Sequence, residues 1–135
     1  MTMSAMFRRD VDALGEVFAL VEAFFSREAL AASLRFPVDL AVEEIFTNFV
    51  KYNAGAPSDI GVSLRRERDE IVVSVTDFEA APFDPTSIPS PDVSAPLAER
   101  SPGGLGIHLV KNVMDRVEYE HGERRSTVTL YKRVD

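Results

Sequence analysis

The order of apolar periodicities predicts an α+β domain: helices packed on one face of a single-layer mixed, mainly antiparallel sheet. Two observations carry this. Helical spacing of apolar residues fills the chain from residue 10 to about residue 53 and returns at 107–114. Period-two alternation appears in two pairs of segments, each pair joined by a short turn. At 135 residues, 45% of them hydrophobic, the chain is expected to form one domain, 1–135, with a core that needs no staple.

The first helix is expected over residues 10 to about 30. Val11, Leu14, Phe18, Val21 and Phe25 follow 3-4-3-4 spacing and define its apolar face. The second is expected from about Pro37 to Asn53, where Val38, Val42, Ile45, Phe49 and Tyr52 repeat the pattern. Asn53, Gly55 and Pro57 supply its stop. Ile60, Val62 and Leu64 alternate with polar residues, as do Ile71, Val73 and Val75, so a hairpin follows. Residues 78–102 hold six of the eight prolines and read as a long lid loop. Gly103-Gly104-Leu105-Gly106 then opens a third helix. Strands near 116–120 and 126–132, turned at His121-Gly122-Glu123, close the chain. A strand ahead of the first helix is expected to be reduced or absent.

Composition removes several function classes. Cysteine is absent, which excludes disulfides and thiolate chemistry. The two histidines, His108 and His121, lack metal-ligand spacing, and are expected to be a packing residue and a turn residue. A formal charge of −7 repels a phosphate backbone, so direct nucleic-acid binding is not expected. No apolar run has the length of a membrane span, and Met1–Arg9 has no signal-peptide core, so a cytoplasmic protein is expected.

Three features could carry chemistry. On the second helix, Glu44 and Asn48 are i,i+4 neighbours on the flank of the apolar stripe, while Glu43 points to solvent. Such a carboxylate can accept a proton, and such an amide can ligate a hard cation. The bland alternative is a solvated Glu beside a C-terminal-turn Asn. Asp77 ends its strand on the same face as Val73 and Val75. A carboxylate there needs a donor: a backbone amide, an arginine or a ligand amine. The alternative is a strand-ending turn residue. Gly103, Gly104 and Gly106 precede a helix whose free N–H groups suit phosphate. The spacing is that of neither a Walker A loop nor a dinucleotide fingerprint.

In this order, Glu44-x-x-x-Asn48, Asp77, the lid and Gly103-Gly104-Leu105-Gly106-Ile107-x-Leu109-Val110-Lys111 resemble the GHKL (Bergerat-fold) ATP-binding superfamily. Within it they resemble the anti-sigma-factor serine/threonine kinases, over roughly residues 29–133. The stretches Val113-Met114-Asp115-Arg116-Val117 and Ser126-Thr127-Val128-Thr129-Leu130 add to the likeness.

The resemblance implies roles. Asn48 would ligate Mg²⁺ on the ATP phosphates. Glu44 would be the general base for a serine hydroxyl of a protein substrate. Asp77 would bind the adenine amine, and Thr127, or alternatively Ser126, would hold the adenine end through water. Gly103, Gly104 and Gly106 would let the backbone wrap the phosphates. The implied partners are a serine-bearing anti-sigma-factor antagonist, an RNA polymerase sigma factor and a second copy of the chain in a homodimer. One departure stands out: Glu79 occupies the position of the glycine in the family's Asp-x-Gly. It defines the alternative, a nucleotide-impaired binding module of the same fold that acts on a partner by competition only.

Overall fold

The computed structural model describes the backbone of residues 2–52, 56–78 and 104–135, and the side chains of all these except 52 and 104–107. Most of the expected lid, together with Glu79 and Gly103, lies outside the described residues.

The chain opens with β1 (Met3–Phe7), then α1 (Leu14–Glu28) and α2 (Arg35–Tyr52). Next come β2 (Ile60–Glu67) and β3 (Glu70–Asp77), then α3 (Gly104–Val113), β4 (Arg116–Gly122) and β5 (Arg125–Arg133). The sheet has five strands in the order β1-β2-β3-β5-β4, and each pairing among them is antiparallel. The α+β expectation holds. The leading strand is the difference: β1 is a full edge strand, paired from Met3↔Leu64 to Phe7↔Ile60. Its five residues bury only Phe7 fully, so its hydrophobic signal in the sequence is faint.

Register sorts the side chains into a buried and an outer face. Across the buried face one row runs Ala5, Val62, Val75, Val128 and Tyr119, and the next runs Met3, Leu64, Val73, Leu130 and Val117. The helices cover this face with Val17, Val21, Phe24, Val38, Val42, Ile45 and Phe46, all with no solvent exposure. On the outer face Ser63, Ser74, Thr76 and Thr127 alternate with these core residues, so the sheet's other side is largely small and polar.

One helical detail differs from the expected phase. Asp10 caps a single 3-10 turn at Val11–Ala13, its carboxylate accepting from the Asp12 amide at 2.9 Å. At three residues per turn, that turn resets the phase before α1 begins. Val11 is therefore 48% exposed, whereas Val21 and Phe25 are buried as expected, together with Val17 and Phe24. In α2, Pro37 stands in the first turn, where its missing N–H breaks no helical bond. Both hairpins turn tightly. Glu123 and Arg124 take φ of 53° and 63°, the left-handed pair that a two-residue type I′ loop needs. The turn thus lies one residue beyond the expected place, and His121 belongs to β4.

Leu130, fully buried in the central row, tests the packing. Leu130→Ala should cost about 2–5 kcal/mol, read as a lower urea midpoint with an unchanged slope.

Candidate functional site

The buried face of the sheet ends in a row unlike the others. Phe7, Ile60, Asp77, Ser126 and His121 stand side by side on β1, β2, β3, β5 and β4. Asp77 and Ser126 have no solvent exposure. Period-two alternation is what carries two polar side chains into the core here, and each has found partners.

Asp77 receives a forked pair of bonds from Arg9. Nη2 donates to one carboxylate oxygen at 2.6 Å and Nη1 to the other at 2.9 Å. The Arg9 side chain is only 5% exposed. Its other N–H groups go to the Phe49 carbonyl at 3.4 Å, the Ser58 carbonyl at 3.2 Å and the Ser58 hydroxyl at 3.4 Å. Five N–H groups meet five acceptors, which is the full donor capacity of a guanidinium. Of the donors open to Asp77 on sequence grounds, the arginine is present. Arg9 itself was not foreseen. The signal for it was the basic pair Arg8-Arg9 just past β1, which is legible only once β1 is known to sit beside β2.

Ser126 shares its hydroxyl with the His121 ring at Nδ1, 2.8 Å away, and with the Tyr119 hydroxyl, 3.2 Å away. Thr127 pairs with Thr76 on the outer face, their hydroxyls 3.0 Å apart, whereas Ser126 pairs with Asp77 on the buried face. Of the two residues expected to serve the adenine end, only Ser126 shares a face with Asp77.

The α2 flank is arranged as its helical angles require. Glu43 is exposed, Glu44 is half-buried and Asn48 is 2% exposed. Burial pushes the Glu44 carboxyl above the usual range; the neighbouring Glu43 charge adds to this and Lys51 opposes it. The Asn48 amide nitrogen is buried and has no hydrogen-bond partner among the described residues. An orphaned donor of this kind is costly in a finished core and ordinary in a site that a ligand completes. Arg9 ties this flank to Asp77, because Nη1 bonds both the Asp77 carboxylate and the carbonyl of Phe49, the residue after Asn48.

α3 packs against α2, so the helix that Gly104 begins is a neighbour of the helix bearing Glu44 and Asn48. Gly104 and Gly106 both fall within its first turn. Further along, Val110 and Met114 are buried. His108 is exposed, not packed as expected, because the α3 side that meets the core is that of Val110 and Met114.

These residues suit a nucleotide with a hard cation. Among the described residues, no group of three or more His, Asp or Glu could hold a metal by itself. Mg²⁺ needs no such cage, since it is commonly held by one or two protein oxygens together with phosphates and water. Asn48 could supply one of these ligands through its Oδ1, while its orphaned Nδ2 is a donor that fits an acceptor such as a phosphate oxygen. Among the described residues, no helix is long and apolar enough to cross a membrane.

The raised Glu44 carboxyl has a consequence for stability. The folded state holds that proton more tightly than the unfolded chain. The contribution is therefore intact at low pH and lost as pH rises through the raised value. Glu44→Gln should raise Tm at pH 7, and the gain should vanish near pH 4, as calorimetric melts at both pH values would show.

A family model described as a histidine kinase-like ATPase domain matches residues 7–132. The serine/threonine-protein kinase BtrW of Bordetella bronchiseptica is 32% identical over 106 residues, covering 77% of this chain and 74% of that protein. The serine-protein kinase RsbW of Halalkalibacterium halodurans is 32% identical over 85 residues, covering 60% of this chain and 52% of that protein. Among solved structures, the RsbU and RsbW domains of a Mycobacterium tuberculosis protein align with a TM-score of 0.71 at 16% identity. That match takes in 99% of this chain and 32% of the larger one. The SiaB–SiaC complex of Pseudomonas aeruginosa aligns with a TM-score of 0.63 at 15% identity, over 96% of this chain and 87% of that chain. At these identities the structural likeness speaks for the fold. The match over residues 7–132 and the kinship with BtrW speak for descent: the chain belongs to the histidine kinase-like ATPase domain family.

Proposed function

We propose that this protein binds ATP with Mg²⁺ and transfers the γ-phosphoryl group to a serine hydroxyl of a partner protein, an anti-sigma-factor antagonist. By the same reading it sequesters a sigma factor and works as a homodimer in the cytoplasm. The observation that carries the proposal is the pair on α2. Glu44 is a half-buried carboxylate with raised proton affinity, and one turn on stands Asn48, a buried amide with an orphaned donor.

Phosphoryl transfer asks a protein mainly for alignment and charge neutralisation. Mg²⁺ bound with ATP supplies the positive charge that an acidic chain lacks. Asn48 would hold that cation through Oδ1, and its orphaned Nδ2 would find an acceptor in a phosphate oxygen. Glu44 accepts the proton of the serine hydroxyl as its oxygen bonds to the γ-phosphorus and the bond to the β-phosphate oxygen breaks. A carboxylate with raised proton affinity is a better base than an exposed one. Asp77 and Ser126 serve the base of the nucleotide. Gly103, Gly104 and Gly106 serve its phosphates, the last two from the first turn of α3.

Kinship with two proteins named as serine kinases supports the reaction class, and kinship with RsbW supports the kind of partner. Titration calorimetry should detect Mg²⁺-ATP at micromolar to sub-millimolar Kd. Glu44→Ala should abolish phosphoryl transfer to the partner while leaving Kd for ATP within about threefold, since the base acts on the chemical step. Asn48→Ala should weaken Mg²⁺-ATP binding and transfer together. Transfer at the wild-type rate by Glu44→Ala would remove Glu44 from the role of base.

A further inference from the structure

Resting on the ATP-binding reading, we infer that Arg9 is a positioning residue for base recognition: it holds Asp77 ionised and fixed in aim, and so makes the site choose a base with an exocyclic amine over one with an exocyclic carbonyl.

The inference starts from the donor count. Arg9 spends its five N–H groups on Asp77, Phe49 and Ser58. It has none left for a ligand. Withdrawing it would strand five donors and a buried charge, so it is a fixed wall of the site and not a gate. What it can influence is the carboxylate it grips. Asp77 has no solvent exposure. A carboxylate there keeps its charge only beside a compensating cation; without one it takes up a proton. The two forms differ in what they recognise. An ionised carboxylate only accepts hydrogen bonds. A protonated one also donates.

An adenine amine therefore suits the ionised form, whereas the carbonyl of a hypoxanthine base meets repulsion from it. Once Asp77 is protonated, its O–H can pair with that carbonyl and the discrimination disappears. The fork also fixes the plane of the carboxyl group, because both oxygens are held by one rigid guanidinium. Lysine, with a single charged nitrogen, would keep the compensation and lose the fork.

The test compares calorimetric binding of Mg²⁺-ATP and Mg²⁺-inosine triphosphate to wild type, Arg9→Met and Arg9→Lys. Each variant is first checked for folding by circular dichroism. Wild type should prefer ATP by about tenfold or more, as expected where a site is built around a hydrogen-bonding group. Arg9→Met should bring the two affinities within about threefold of one another. Arg9→Lys should give an intermediate ratio, a partial rescue that follows charge and geometry. If Arg9→Met weakens both nucleotides equally and keeps the wild-type ratio, Arg9 is only structural and the inference is overturned. If Arg9→Met does not fold, Arg9→Lys decides: a ratio below that of wild type supports the inference and an unchanged ratio overturns it. Equal binding of both nucleotides by wild type overturns the inference while leaving ATP binding intact. Binding of neither overturns the ATP reading and the inference with it.

Discussion

The site is organised by the burial of one carboxylate and its answer in one guanidinium. Asp77 reaches the core because a strand alternates, and the strand places it there whether or not a charge is welcome. An ion pair in that position is worth little against a well-packed apolar pair, yet removing one partner costs about 3–5 kcal/mol, because the other charge is left behind. Arg9 must therefore be delivered to that point. Its delivery constrains the edge strand that carries it, the end of α2 whose carbonyl it takes, and the segment at Ser58. The charged pair thus acts as a fixed junction between the first strand, the second helix and the central strand of the sheet.

Around that junction the chain separates two kinds of work. The sheet end of the candidate site is rigid, since Asp77 and Ser126 are buried in one row across the sheet and each is hydrogen-bonded. On α2, one turn apart, Glu44 and Asn48 are left less satisfied: one carboxylate is partly desolvated and one amide nitrogen lacks a partner. A stable core has no use for either. Both are tolerated where function requires groups that are finished only when something binds.

Much of this was legible in the sequence, for definite reasons. A 100° step per residue separates Glu44 from Glu43, and the exposed and half-buried positions follow it. A two-residue period puts Asp77 among Val73 and Val75. Both rules are local, and local rules can be read from one chain. Less accessible was what depends on register between distant segments. Thr127 and Ser126 are adjacent and chemically alike; the two-residue period sets Ser126 with Val128 and Leu130, but that it stands opposite Asp77 is known only from the pairing of β3 with β5. The edge strand β1 was missed because a strand covered on one face near one end shows little apolar alternation. Arg9 was missed with it, for a charged residue just after an unrecognised strand looks like any solvated arginine. Val11 left the expected stripe because it stands in three residues of 3-10 helix, too short to mark the sequence.

The row across the end of the sheet also bears on how the molecule comes into being. Its polar members stand at positions 77, 121 and 126, and the arginine that grips Asp77 stands at position 9, far from all three in sequence. The two hairpins close over turns of two residues and need no distant help, whereas β1 must find β2 across both intervening helices. Contacts of that span are slow to form, because chain entropy is surrendered before they repay it. A chain emerging from a ribosome therefore cannot complete this row until synthesis has passed residue 126. Whatever the row supports is withheld from every shorter nascent form.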